Sequence, residues 1–90
     1  MVYKNMTMNQ ERGLCLRSAG GLVGEANKHE SHVMLHRGEH VMNCKSLMSL
    51  LAFPVCPGDR IRIECEGPDE GQALSGVVFY LTSLGAADAG

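Results

Sequence analysis

The stretch RIRIECE, residues 60–66, restricts the fold more than any other part of the chain. Ile61, Ile63 and Cys65 alternate strictly with Arg60, Arg62, Glu64 and Glu66. Successive side chains on a strand point to opposite faces, so this segment has one face in a core and one in water. A strand of that kind suits an antiparallel sheet covered on one side, because parallel strands are buried on both faces and read as continuous apolar runs. The rest of the chain must supply partners for this strand and a cover for its apolar face.

Three other segments read as strands. From Val2 to Met8, Val2, Met6 and Met8 share one face and Tyr3, Asn5 and Thr7 the other, with Lys4 spoiling the pattern. In SHVMLHRGEHVMN, Val33 and Leu35 point one way and His32, Met34 and His36 the other; Arg37-Gly38-Glu39 turns the chain and His40 to Asn43 return. The spacing changes elsewhere. Leu16, Ala19, Leu22, Val23 and Ala26 form an apolar stripe on a helix from Leu16 to roughly Lys28, weakened by Gly20, Gly21 and Gly24. SLMSLLAF is a short helix that Ser46 caps and Pro54 stops. Asp69 caps a last helix whose buried stripe is Ala73, Leu74, Val77, Val78, Leu81 and Leu84, with Glu70 in its first turn. The order βαββαβα implies an α+β layer pair, with helices on one face of a four-stranded antiparallel sheet and water on the other.

Ninety residues make one domain, here residues 1–85, and the tail 86–90 lacks bulky apolar groups and is expected to fray. A net charge of −2 gives no field for nucleic acid or an anionic membrane, and two Tyr, two Phe and no Trp give no platform for stacking bases. No apolar run approaches a membrane span, and the N-terminus has no secretory pattern, so a cytoplasmic location is expected. Cys15, Cys44, Cys56 and Cys65 form no C-x-x-C pair, so no zinc site or other cofactor is expected; Cys44, Cys56 and Cys65 read as reduced core fillers. His32, His36 and His40 could meet around a metal across the hairpin. A solvated sheet face is the simpler reading, since no carboxylate or cysteine is placed to complete such a site.

Three stretches carry a family resemblance. GLCLRSA resembles the phosphorylation loop of HPr, the small phosphocarrier of the bacterial sugar phosphotransferase system, usually Gly-Leu-His-Ala-Arg-Pro-Ala. NCKSLMSLL resembles that family's regulatory stretch, and PGDRIRIECEGPDEGQAL its last strand and the opening of its last helix. The resemblance covers nearly the whole chain and implies an open-faced sandwich with strand order 1-4-2-3. It implies a non-enzymatic phosphoacceptor or interaction protein. The acceptor histidine is replaced by Cys15, and the proline after the arginine by Ser18, while Arg17 is kept.

If the loop keeps the family's geometry, Cys15 stands at a helix N-terminus, where orphan amides and the Arg17 charge would lower its pKa. The loop can then be read as degenerate, as a phosphocarrier loop with Cys15 as acceptor, or as a thiol-based redox sensor. The better-supported site is Ser46. The resemblance implies its phosphorylation by HPr kinase/phosphorylase and docking to a catabolite control transcription regulator through Arg17, Leu47, Met48 and Leu51, with enzyme I as a further candidate partner. The logic resembles that of catabolite-repression HPr-like proteins, which lack the histidine and keep the serine.

Overall fold

In the computed structural model, which describes residues 1–90, the RIRIECE segment is a central strand flanked by a partner on each side. The elements run β1 (Val2–Thr7), α1 (Leu16–Ala26), β2 (His32–Arg37), β3 (His40–Asn43), α2 (Leu47–Ala52), β4 (Arg60–Glu66), α3 (Glu70–Ser83) and β5 (Ala87–Asp88). The sheet order is β3-β2-β4-β1-β5, all neighbours antiparallel. The expected order 1-4-2-3 is therefore present, with one strand added at its β1 edge. No helix is long and apolar enough to cross a membrane.

The register follows from the alternation. Ile61, Ile63 and Cys65 are buried, and they face Met6, Lys4 and Val2 on one side. On the other side, Leu35 faces Ile63 and Val33 faces Cys65. Slipping this pairing by one residue would turn the charged set of β4 into the core, which is why the register is firmly specified. Lys4 lies on the core face but next to an edge, and its ammonium reaches out to Asp88 at 2.7 Å. On the wet face Arg62 donates to Asn5 Oδ1 at 3.0 Å and lies over the Tyr3 ring at 4.5 Å.

The helices cover the apolar face. Ala19, Leu22 and Ala26 of α1, Leu50 of α2, and Ala73, Val77 and Leu81 of α3 are all buried in one core cluster. Leu74, Val78 and Leu84 pack against that cluster while only partly buried. Leu16, which begins the periodic stripe, is exposed instead, at the first position of α1. The helix also stops at Ala26, short of Lys28. The Asn27 side chain donates to Val23 O at 3.0 Å and closes the last turn.

Two expectations change in the second half. The C-terminal tail does not fray: Ala86 is buried, Ala87 and Asp88 pair with Thr7 and Met6, and the Ala89 amide donates to Asn5 O at 3.0 Å. β1 has a free edge there, and main-chain pairing needs no bulky side chains. Asp69 precedes α3 but makes no side-chain cap. Its carboxylate accepts instead from the Ser31 amide at 2.9 Å, the Ser31 hydroxyl and the Glu30 amide at 3.2 Å, joining α3 to the α1–β2 loop.

The hairpin turn is two residues long, Gly38-Glu39, so Arg37 pairs with His40. That register puts His40 on the helix side of the sheet, where its ring stacks on Phe53 at 3.9 Å. His36, on the other face, meets Glu64 at 2.9 Å. The three hairpin histidines therefore do not converge. Cys44 and Cys65 fill the core as expected, whereas Cys56 is exposed, because the turn that carries it lies outside the sheet.

Candidate functional site

Residues 9–15 form an irregular loop laid along the segment 55–59. The Leu14 amide donates to Val55 O at 2.9 Å, the Gly58 amide to Asn9 O at 3.0 Å and the Met8 amide to Asp59 O at 2.8 Å. Gly13 makes this approach possible. A Cβ there would lie 1.9 Å from Val55 O and 2.8 Å from Cys56 Cα, both backbone atoms that cannot swing away. Leu14 is buried and anchors the loop, leaving Cys15 to turn outward at the mouth of α1.

Cys15 has extended backbone angles and is the N-cap of α1. Its amide donates to the Ser18 hydroxyl at 2.9 Å, and its sulfur lies 3.4 Å from that same hydroxyl. Ser18 thus reaches back as the third residue of a capping box, with sulfur in the place of the usual cap oxygen. The sequence presents Ser18 only as a missing proline, although the four-residue capping spacing was available as a signal. The Ser18 hydroxyl, followed by the Ser18 and Arg17 amides, brings the Cys15 thiol down to about 7. The Arg17 guanidinium, expected to share this task by its charge, is exposed, forms no ion pair and is not among the causes. Its backbone amide acts in its stead.

The wall behind Cys15 comes from α3. Tyr80 Oη donates to Ser18 O at 2.8 Å, and Gly21 admits the phenol, since a Cβ on Gly21 would sit 2.0 Å from Oη. Cys15, Arg17, Ser18, Tyr80, Arg12 and Cys56 all line one open cleft of about 1130 Å³. Arg12 and Arg17 give this cleft two positive side chains in a chain of net charge −2, with Glu11 the one carboxylate on its rim.

The second locus is the start of α2. Ser46 is the N-cap, and its hydroxyl accepts from the Ser49 amide at 3.2 Å. The Lys45 ammonium is committed to His29 O at 2.7 Å, which ties this corner to the end of α1. The amphipathic helix puts Leu50 in the core and leaves Met48 84% exposed and Leu51 39% exposed. Leu47, expected with them as a docking residue, is partly buried and packs against the core. Phe53, absent from the expected set, is 43% exposed and stacks on the His40 ring. Phe53 is the C-cap, one residue beyond the end of α2 at Ala52, so the helix period does not place it.

The family model described as "PTS HPr component phosphorylation site" matches residues 2–83. The chain is 32% identical over 81 residues to the HPr-like protein Crh of Bacillus subtilis, covering 90% of this chain and 95% of that protein. It is 34% identical over 77 residues to the phosphocarrier protein HPr of Treponema pallidum, covering 86% and 88%. Among solved structures, an HPr from Thermoanaerobacter tengcongensis superposes with a TM-score of 0.88 at 27% identity, over 94% of this chain and 97% of that one. A crystal structure of Bacillus subtilis Crh gives 0.74 at 32% identity, over 82% and 85%. With matching motifs, strand order and helix cover, and a family model spanning nearly its whole length, the chain belongs to the PTS-HPr family.

Proposed function

We propose that this chain is a regulatory HPr-like protein that acts through phosphorylation of Ser46 in carbon catabolite regulation, and that its loop no longer serves as a histidine phosphocarrier. The observation that carries this reading is the pairing of a capping serine with an exposed apolar patch of Met48, Leu51 and Phe53, in a chain with Cys15 where the family's loop has imidazole. A phosphate on Ser46 adds about −1.5 to −2 charge beside the positive end of a helix, so the fold accommodates it. It also sets an anion with several acceptor oxygens next to apolar surface, a difference a partner can read. HPr kinase/phosphorylase is the modifying partner in this reading, and a catabolite control transcription regulator the reader. A Bacillus subtilis relative is itself described as a catabolite repression HPr.

The acidified, exposed thiol between Arg12 and Arg17 favours one second reading, in which Cys15 accepts a phosphoryl group from a phosphohistidine donor such as enzyme I. Sulfur would form the new S–P bond as the donor's N–P bond breaks and the imidazole nitrogen keeps that bond's electron pair. Intact-mass analysis separates the two readings. Incubation with ATP, Mg²⁺ and HPr kinase is expected to add one phosphate, lost in Ser46→Ala. Incubation with phosphoenolpyruvate and enzyme I is expected to add none. A labile phosphate on Cys15 in the second reaction, with none on Ser46 in the first, would overturn the regulatory reading.

A further inference from the structure

Two of the four cysteines reach solvent, and both line the same cleft. Burial pushes the other two thiols up, Cys44 to about 12 and Cys65 to about 11, and takes both out of solution chemistry. Cys15 and Cys56 belong to segments already tied together. Leu14, just before Cys15, is bonded to Val55, just before Cys56, and the Gly13 backbone is in contact with that of Cys56. Cys15 is two residues beyond Gly13, a step of at most about 7 Å.

Neither thiol lies inside a helix or a strand. Cys15 immediately precedes α1, and Cys56 lies in the irregular segment between α2 and β4, its thiol donating to Pro54 O at 3.7 Å. Moving Cys15 acts on the first turn of α1, where its amide donates to the Ser18 hydroxyl and its carbonyl accepts from the Ala19 amide at 2.8 Å, whereas Cys56 can shift without disturbing a helix or a strand pair. Their chemistry is asymmetric as well. Cys15 is near half thiolate at neutral pH and sits at the open cleft, the profile of an attacking sulfur. Cys56, the second exposed thiol on that cleft, is placed as the resolving sulfur.

We propose that Cys15 and Cys56 form a reversible dithiol pair that closes to an intramolecular disulfide across the cleft on meeting a low-molecular-weight disulfide. Cys15 thiolate attacks one sulfur of the small disulfide, forming a mixed disulfide and expelling one thiolate. Cys56, having lost its proton to solvent, attacks Cys15 Sγ, and the second small thiolate leaves. The protein dithiol is oxidised, the small disulfide is reduced to two thiols, and no further oxidant is required. Closure would remove the Cys15 sulfur from any other chemistry and bind the loop before α1 to the turn before β4. The proposal is independent of Ser46.

The experiment treats the protein with oxidised glutathione at neutral pH, quenches with acid and reads intact mass and peptide maps without reduction. The wild type is expected to pass through one glutathione adduct on Cys15 and end as a monomer lighter by two hydrogens, with Cys15 linked to Cys56. Cys56→Ser is expected to stop at the adduct, and Cys15→Ser to form no linked product. Both substitutions alter exposed side chains, and thermal melts verify that each variant is folded. A wild-type protein that keeps its adduct, stays unreacted, or forms Cys15-linked dimers as fast as Cys56→Ser overturns the proposal.

Discussion

Three glycines on one helix allow the packing behind Cys15 to be tested by sign. Gly20, Gly21 and Gly24 all lie in α1, and glycine costs a helix about 1 kcal/mol relative to alanine. A Cβ on Gly20 or Gly24 meets nothing within 4 Å. Gly20→Ala and Gly24→Ala should therefore each stabilise the protein by roughly 0.5–1 kcal/mol, raising Tm by about 2–8 °C in a domain of this size. Gly21→Ala has the same propensity gain, but its Cβ would lie 2.0 Å from Tyr80 Oη and 2.7 Å from Cζ. The ring must withdraw, breaking the Tyr80–Ser18 bond at about 1 kcal/mol and adding overpacking strain of about 1–3 kcal/mol. The net expectation is destabilisation by about 1–3 kcal/mol, opposite in sign to its neighbours. Urea unfolding monitored by circular dichroism measures all three. Repeating Gly21→Ala in a Tyr80→Phe background should show a smaller penalty, since the closest clashing atom is gone. If Gly21→Ala stabilises as much as Gly20→Ala, then α3 does not press on α1 at this point and the account of the cleft wall is wrong.

Two further outcomes follow from charge and hydrogen bonding. The Ser31 hydroxyl, aided by the Ser31 and Glu30 amides, holds the Asp69 carboxyl at about 2, below its ordinary 3.8. A depressed carboxylate contributes stability that is present above its unfolded pKa and lost as pH falls from about 4 through about 2, so Asp69→Asn should flatten the acid limb of the unfolding midpoint in that window. An unchanged acid slope would show that the bridge from α3 to the α1–β2 loop does not form. At the loop, the pH midpoint of Cys15 alkylation, expected near 7, should move upward in Ser18→Ala and stay in place in Arg17→Gln. The reverse pattern would return the thiol's acidity to the arginine charge.

The parts of the fold legible in the sequence are those encoded by short-range pattern. Strict alternation in residues 60–66 specifies a half-buried strand, and the three- and four-residue steps in α1 and α3 specify their buried faces. The capping role of Ser46 was equally local, since a serine followed by an apolar helix needs only its own next turn. Lys4 looked like a flaw because its partner Asp88 is 84 residues away. Leu47 is partly buried and Phe53 is exposed because the rotation of a six-residue helix is set by what it packs on; its own short period does not set it.

From the chain alone came the order of the first seven elements, the inward rows of the sheet and the family to which the motifs belong, all of which rest on neighbours within a turn or two. Tertiary structure decided the rest. It brought Ser18 and two amides to the Cys15 sulfur and laid the loop of Gly13 against Cys56. It also swung Asp69 away from its own helix and paired the last residues with β1. These depend on groups meeting across folded distance, where hydrogen bonds and close approach do the selecting and leave no periodic trace in the sequence.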